Sequence, residues 1–279
     1  MAAEPDLTPG EMAEKAVRVG IQKAEWSAPR LLVLALLAGI YIAFGAVFST
    51  LSAAGASGVI PHGITRIISG LVFTVGLILV VVGGAELFTG NNLMVMAWAN
   101  RQIRTGGLLR NWVLVYAGNF IGSVLTAFLV FQSGHYGSNG GSIGLSMLSI
   151  AEAKTSLTFI HALSLGVLCN ILVCLAVWLS YSAKNVSGKI LAIIPPISAF
   201  VAAGFEHSVA NMFFIPMGLL VKFGVDGSFW NLIQKTPADF PHLTVSGFLV
   251  NNLLPVSLGN IIGGLMIGLA YWFIYLYRK

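Results

Sequence analysis

Charge is what this chain has least of. Asp, Glu, Lys and Arg make up 9% of its 279 residues, against roughly 25% in a soluble domain. With 57% apolar residues and a mean hydropathy of +0.87, a water-soluble globule is excluded. Long apolar runs also exclude a barrel, whose strands would alternate over about 10 residues. Cysteine is nearly absent: Cys169 and Cys174 share one apolar run and read as small core residues, with no disulfide framework and no metal pattern. There is no H-E-x-x-H, no pair of intramembrane aspartates, no recognisable nucleophile motif and no glycine-rich phosphate loop. These absences argue against a membrane-embedded enzyme and against ATP-driven pumping. The paired Asn-Pro-Ala loops of water channels are missing too. Neither cofactor nor nucleic acid is expected as a partner. No apolar run begins before Leu31, so "MAAEPDLTPGEMAEK" does not read as a cleavable signal peptide.

What is there is helix. A spanning helix needs about 20 apolar residues, and six runs qualify: 31–55, 65–99, 108–132, 157–182, 189–223 and 247–276. The second and fifth are too long for one straight crossing. Lys and Arg near span ends set orientation. With the first residues inside, the inner side collects Lys15, Arg18, Lys23, Arg30, Arg101, Arg104, Arg110, Lys184, Lys189, Arg278 and Lys279. The outer side collects only Arg66, Lys154, Lys222 and Lys235. Both termini are therefore expected in the cytoplasm, in a bacterial plasma (inner) membrane. Residues 1–30 form a separate unit. Thr8, Pro9 and Glu11 begin an amphipathic helix with Met12, Ala16, Val17, Gly20 and Ile21 on one face. It is expected to lie on the membrane surface or against a neighbouring subunit. The channel domain is residues 31–279.

An internal repeat organises that domain. "GAELFTGN" (84–91) matches "GFEHSVAN" (204–211), pairing Gly84 with Gly204, Glu86 with Glu206 and Asn91 with Asn211. "GNFIG" (118–122) likewise matches "GNIIG" (259–263). The halves, about 31–135 and 155–279, hold three spans each. Three is odd, so the second half enters the membrane inverted, and the working site is expected near the midplane between broken helices. The breaks are placed at 84–92 and 203–211. Glycine lets the backbone leave helical geometry there, and the half-helix N-termini present positive dipole ends suited to an anion.

Of the acidic residues, only Glu86 and Glu206 fall inside apolar spans, and His207 is the one mid-span histidine. A charge at the bilayer centre costs about 2.5–3.5 kcal/mol on insertion scales, so such residues usually face a cavity. The glutamates read as acceptors that tie down the broken backbone, with direct substrate contact the alternative. His207 reads as functional, because its counterpart is Leu87.

"GAELFTGN" and "GVLCNILVCLA" (166–176) resemble the two signature motifs of the formate/nitrite transporter family. "SAFVAAGFEHSVANMFFIPMG" (198–218) and "NNLLPVSLGNIIGG" (251–264) resemble its formate-channel branch. The resemblance implies an aquaporin-like fold of six spans, assembled as a homopentamer. Each protomer would have its own pore for small monovalent anions: formate first, then nitrite, acetate or hydrosulfide. It further implies that Leu87, Phe88 and Thr89 form the cytoplasmic constriction and gating loop, and that Phe73, Leu77 and Phe200 form the outer constriction. His207 would contact substrate between them, with Thr89 opposite. Asn170 and Asn260 would support the lumen, and Lys154 would stand in the outer vestibule. Without the resemblance, Phe73, Leu77 and Phe200 read as ordinary core and Asn170 as an interhelical hydrogen bonder.

Overall fold

The computed structural model describes residues 6–277, and all regular structure among them is helical. Helix α1 (Pro9–Glu25) precedes α2 (Ala28–Ala53) and α3 (His62–Gly83). The short α4 (Phe88–Asn91), a 3₁₀ turn and α5 (Val95–Ala99) follow, then α6 (Thr105–Gln132). The second half runs α7 (Ser142–Thr155), α8 (Phe159–Ser182), α9 (Val186–Ala203), α10 (Ser208–Gly224), α11 (Gly227–Ile233) and α12 (Leu254–Tyr275), the last entered through a π-helical turn, Gly247–Leu253. Six helices are long and apolar enough to span a membrane: α2, α3, α6, α8, α9 and the π-helical turn continuous with α12. The expected second span is α3 continued by α4–α5, and the fifth is α9 continued by α10. Both are broken as expected, over 84–87 and 204–207, slightly shorter than the sequence suggested.

Small residues draw the helices together. On α6, a Cβ at Gly118 would collide with the Ala35 side chain of α2, and one at Gly122 with the Leu36 carbonyl. One on Gly259 or Gly263 of α12 would collide with the carbonyls of Leu163 and Val167 on α8. Lipid gives no hydrophobic drive between helices, so close backbone approach is what holds such pairs. The "GN-x-I-G" repeat is thus a packing motif, written twice.

The inverted halves extend beyond the boundaries read from the sequence. Helix α7 stands before α8 as α1 stands before α2, so each half is a helix outside the spanning set followed by three spans. Helix α1 begins as expected: the Thr8 amide donates to the Glu11 carboxylate at 2.8 Å, with Pro9 in the first position. The Thr8 hydroxyl and amide hold that carboxyl below its ordinary range. Its apolar face is neither free nor waiting for a neighbour. Met12, Ala13, Ala16 and Val17 pack on Met96, Ala97 and Trp178 of the same chain. The Leu7 amide donates to the Ser182 carbonyl, and Lys15 donates to that of Tyr181. Tyr271, Trp272 and Tyr275 near the end of α12 join this cluster, so both ends of the described chain lie together. Arg278 and Lys279, counted above as inner charges, lie outside the described residues.

Candidate functional site

The two breaks are built alike. Gly84 and Gly204 end α3 and α9 in the left-handed region, at φ +82° and +77°. Leu87 and His207 then stand extended, at φ −107° each, as N-caps of α4 and α10. The freed backbone groups are taken up across the bundle. The Glu86 and Glu206 amides donate to the carbonyls of Leu34 and Leu165. Asn119 accepts from the Phe88 amide at 2.9 Å and donates to the Ala35 and Glu86 carbonyls. Asn260 repeats this, accepting from the Ser208 amide at 2.9 Å and donating to the Gly166 and Glu206 carbonyls. The sequence reading singled out Asn260 but not Asn119. The signal was present, since both asparagines sit in the repeated "GN-x-I-G".

The carboxylates do something else. The expectation that they tie down freed backbone is refined here, because their donors are side chains. Glu86 accepts from Lys23 at 2.9 Å and Asn91 at 2.7 Å. Glu206 accepts from Lys154 at 2.7 Å, Asn211 at 2.6 Å and Asn252 at 3.1 Å. Asn91 and Asn211 continue to Asn111 and Asn252, whose amides reach back to the Lys23 and Lys154 carbonyls. Each break thus carries a Lys–Glu–Asn–Asn cluster, bolting α1 to the first and α7 to the second. Lys23 entered the sequence reading only as an inner-side charge. What links it to Lys154 is position: each is the last lysine before an apolar span.

Two cavities approach the breaks from opposite ends. The larger one, about 480 Å³, is lined by Arg66, Phe73, Lys154, Phe200, Glu206 and His207, among others. The smaller one, about 200 Å³, is lined by Lys23, Trp26, Leu77, Glu86, Leu87 and Tyr181, among others. Phe73 and Phe200 of the larger cavity and Leu77 and Leu87 of the smaller one are each at most 3% exposed, an apolar set on the walls of both. Phe73 and Phe200 meet edge to face, centroids 5.8 Å apart, beside His207. Leu77, expected with that pair, lines the smaller cavity with Leu87. The Phe88 ring does not line it. It packs on Tyr116 and Trp112 of α6, centroids 4.9 and 6.4 Å away. Among the described residues no three His, Cys, Asp or Glu side chains cluster to hold a metal ion.

Beside this apolar set stands one polar pair, Thr89 and His207, both buried, with Oγ1 and Nε2 2.9 Å apart. His207 Nδ1 accepts the Ala210 amide at 3.1 Å, so the neutral ring carries its proton on Nε2, pointing at Thr89. Asn170 supports Thr89 from behind, donating to the Thr89 carbonyl at 3.3 Å, to Asn92 at 2.7 Å and to the Asn260 carbonyl at 2.6 Å. A hydroxyl from α4 and a ring N–H from the N-cap of α10 thus meet at one buried point beside two half-helix N-termini, with Asn170 of α8 holding the Thr89 backbone. Such a point can strip water from a small anion and replace that water with fixed dipoles.

The formate/nitrite transporter profile matches residues 10–273. The chain belongs to the formate/nitrite transporter family. Its relatives in the family include the formate channel FocA of Escherichia coli strain K12, 44% identical over 97% of this chain and 95% of that one. The formate channel FocA of Haemophilus influenzae is 42% identical over 92% and 90%. Among solved structures, a pentameric formate channel with formate bound superposes at TM-score 0.85 with 43% identity, covering 89% of this chain and 98% of that one. This family member is a multi-pass membrane transport protein, and its relatives are channels and transporters rather than enzymes.

Proposed function

We propose that the protein is a pentameric channel of the bacterial plasma membrane, both termini cytoplasmic, that passes formate and comparably small monovalent weak-acid anions. The Thr89–His207 pair carries the reading. It is a hydroxyl and a ring N–H, 2.9 Å apart, beside the apolar set on the walls of the two cavities. A bare anion there loses its hydration, at a cost that only directed donors offset. A carboxylate of formate's size accepts from both groups at once. Lys154 and Lys23 line the two cavities but are matched there by Glu206 and Glu86, so the positive charge that favours an anion in the larger cavity is that of Arg66. Nitrite and hydrosulfide are the next substrates by charge and size, and acetate carries an additional methyl group past the same closures.

Proton coupling is the finer part of this proposal. A proton arriving from the vestibule is taken up at the ring, and the one on Nε2 passes to the bound carboxylate. Formic acid then passes the apolar set, and the ring is left neutral with its remaining proton on Nδ1. Nε2 must take up a fresh proton, and the imidazolium then release the one on Nδ1, before Ala210 can again donate to Nδ1, so each turnover interrupts the α10 cap. The test is flux in proteoliposomes with formate, nitrite, acetate and hydrosulfide at two pH values. Formate should pass well above protein-free liposomes and faster at the lower pH. Flux of nitrite or hydrosulfide without formate would move the substrate assignment, and flux of none would sink it.

A further inference from the structure

We infer that a cleft at the ends of α5, α6 and α12 binds the phosphate headgroup of an anionic phospholipid. The cleft measures about 600 Å³, and its lining includes Trp98, Arg101, Arg104, Leu269 and Trp272. None of its lining residues belongs to either pore cavity, so the inference stands apart from the nature of the transported ion. The end of the molecule concerned is the one that carries the basic excess read above as cytoplasmic.

Three observations converge. Arg101 and Arg104 are both exposed, and among the described residues neither pairs with a carboxylate. Arg101 also occupies a backbone position that favours glycine, at φ +58°. There the Arg101 amide closes on the Trp98 carbonyl and the Gln102 amide on that of Ala97, each at 2.9 Å. Glycine is the usual residue in this helix-ending turn, and arginine accepts the strain while bringing a guanidinium to the cleft. Strain of this kind gathers where a side chain has a task. Finally, the Trp272 ring nitrogen is buried with no hydrogen-bond partner among the described residues, whereas that of Trp98 donates to Thr105 at 3.0 Å.

A phosphodiester answers the two arginines, and the Trp98 and Trp272 rings that flank the cleft suit its depth. Its oxygens accept bidentate bonds from guanidinium groups, and tryptophan prefers headgroup depth. Ile262 and Met266, exposed on the Leu269 face of α12, continue the cleft as a track for an acyl chain. Basic pockets between spans on the cytoplasmic side hold anionic lipids for the same reasons.

Native mass spectrometry of the purified full chain, supplied with phosphatidylglycerol or phosphatidylcholine, tests this. Phosphatidylglycerol should be retained preferentially, with retention falling about fivefold for each arginine removed in R101G and R104Q. R101G relieves the backbone strain, so misfolding does not account for a loss there. K189Q, at the same end but outside the cleft, should retain the lipid as the parent does. Unchanged retention in the R101G/R104Q double variant would overturn the inference, as would an equal loss in K189Q. Binding of inorganic phosphate without preference for phosphatidylglycerol would overturn the lipid assignment.

Discussion

Both buried carboxylates receive N–H donors on each oxygen, from a lysine on one side and an asparagine on the other. Glutamine cannot satisfy that arrangement, since its amide nitrogen must face a donor. E86Q and E206Q should therefore each lose on the order of 3–5 kcal/mol, the cost of stranding one member of a buried pair. Thermal unfolding of the purified protein measures this, and K23M in the E86Q background should return part of the loss. If E86Q costs nothing, the Lys23–Glu86 pair contributes no stability. The chemistry lies where the halves disagree. Leu87 stands where the second half has His207, and Val209 where the first has Thr89; the equivalent acceptors Ala35 and Gly166 likewise set Gly39 against Asn170, each four residues on. The pairing of Glu86 with Glu206 and Asn91 with Asn211 was legible because the matched residues lie in register along the chain. The pairing of Lys23 with Lys154 was not, because both come from helices that the motif does not include.

At the scale of elements, the breaks follow from two glycines and two asparagines. A Cβ on Gly84 meets nothing within 4 Å, so G84A reports backbone conformation alone. It should cost about 1–2 kcal/mol through the left-handed φ, and G84N less, since asparagine visits that region more readily. Equal stability of G84A and parent in thermal unfolding would remove the strained turn from the account. N119A should cost more, leaving the Phe88 amide and the Glu86 carbonyl without their partner at roughly 1–3 kcal/mol each, and N260A should match it by symmetry. The six spans, both breaks and the apolar face of α1 were readable from hydropathy and repeat. What covers that face was not. Periodicity reports only that a stripe is apolar, and the same stripe suits lipid, a neighbouring subunit or, as found, Met96, Ala97 and Trp178. The side of Phe88 was hidden for a similar reason: an aromatic residue beside a break can point into a pore or onto Trp112 and Tyr116 with equal sequence support.

For the whole molecule, inversion of the halves sets which loops share a side. Both native cysteines are buried, so introduced ones report without background. S138C and K235C should label with an impermeant reagent from outside the cell, and Q102C and S187C only after access to the inside. Labelling of K235C from the inside alone would break the six-span topology. Function at this scale is selective passage through an apolar stretch with one polar step, and formate flux against pH in liposomes tests it most directly. The parent, His207→Asn and His207→Phe are compared, with pentamer integrity checked for each. Asparagine can take over the cap, its Oδ1 accepting from Ala210 and its Nδ2 donating toward Thr89, but it carries no exchangeable acid proton. Anion flux should therefore survive in His207→Asn without its rise at low pH, and residual flux in His207→Phe should be small and independent of pH. A pH profile unchanged from the parent in both variants would contradict the account and leave His207 a helix cap only.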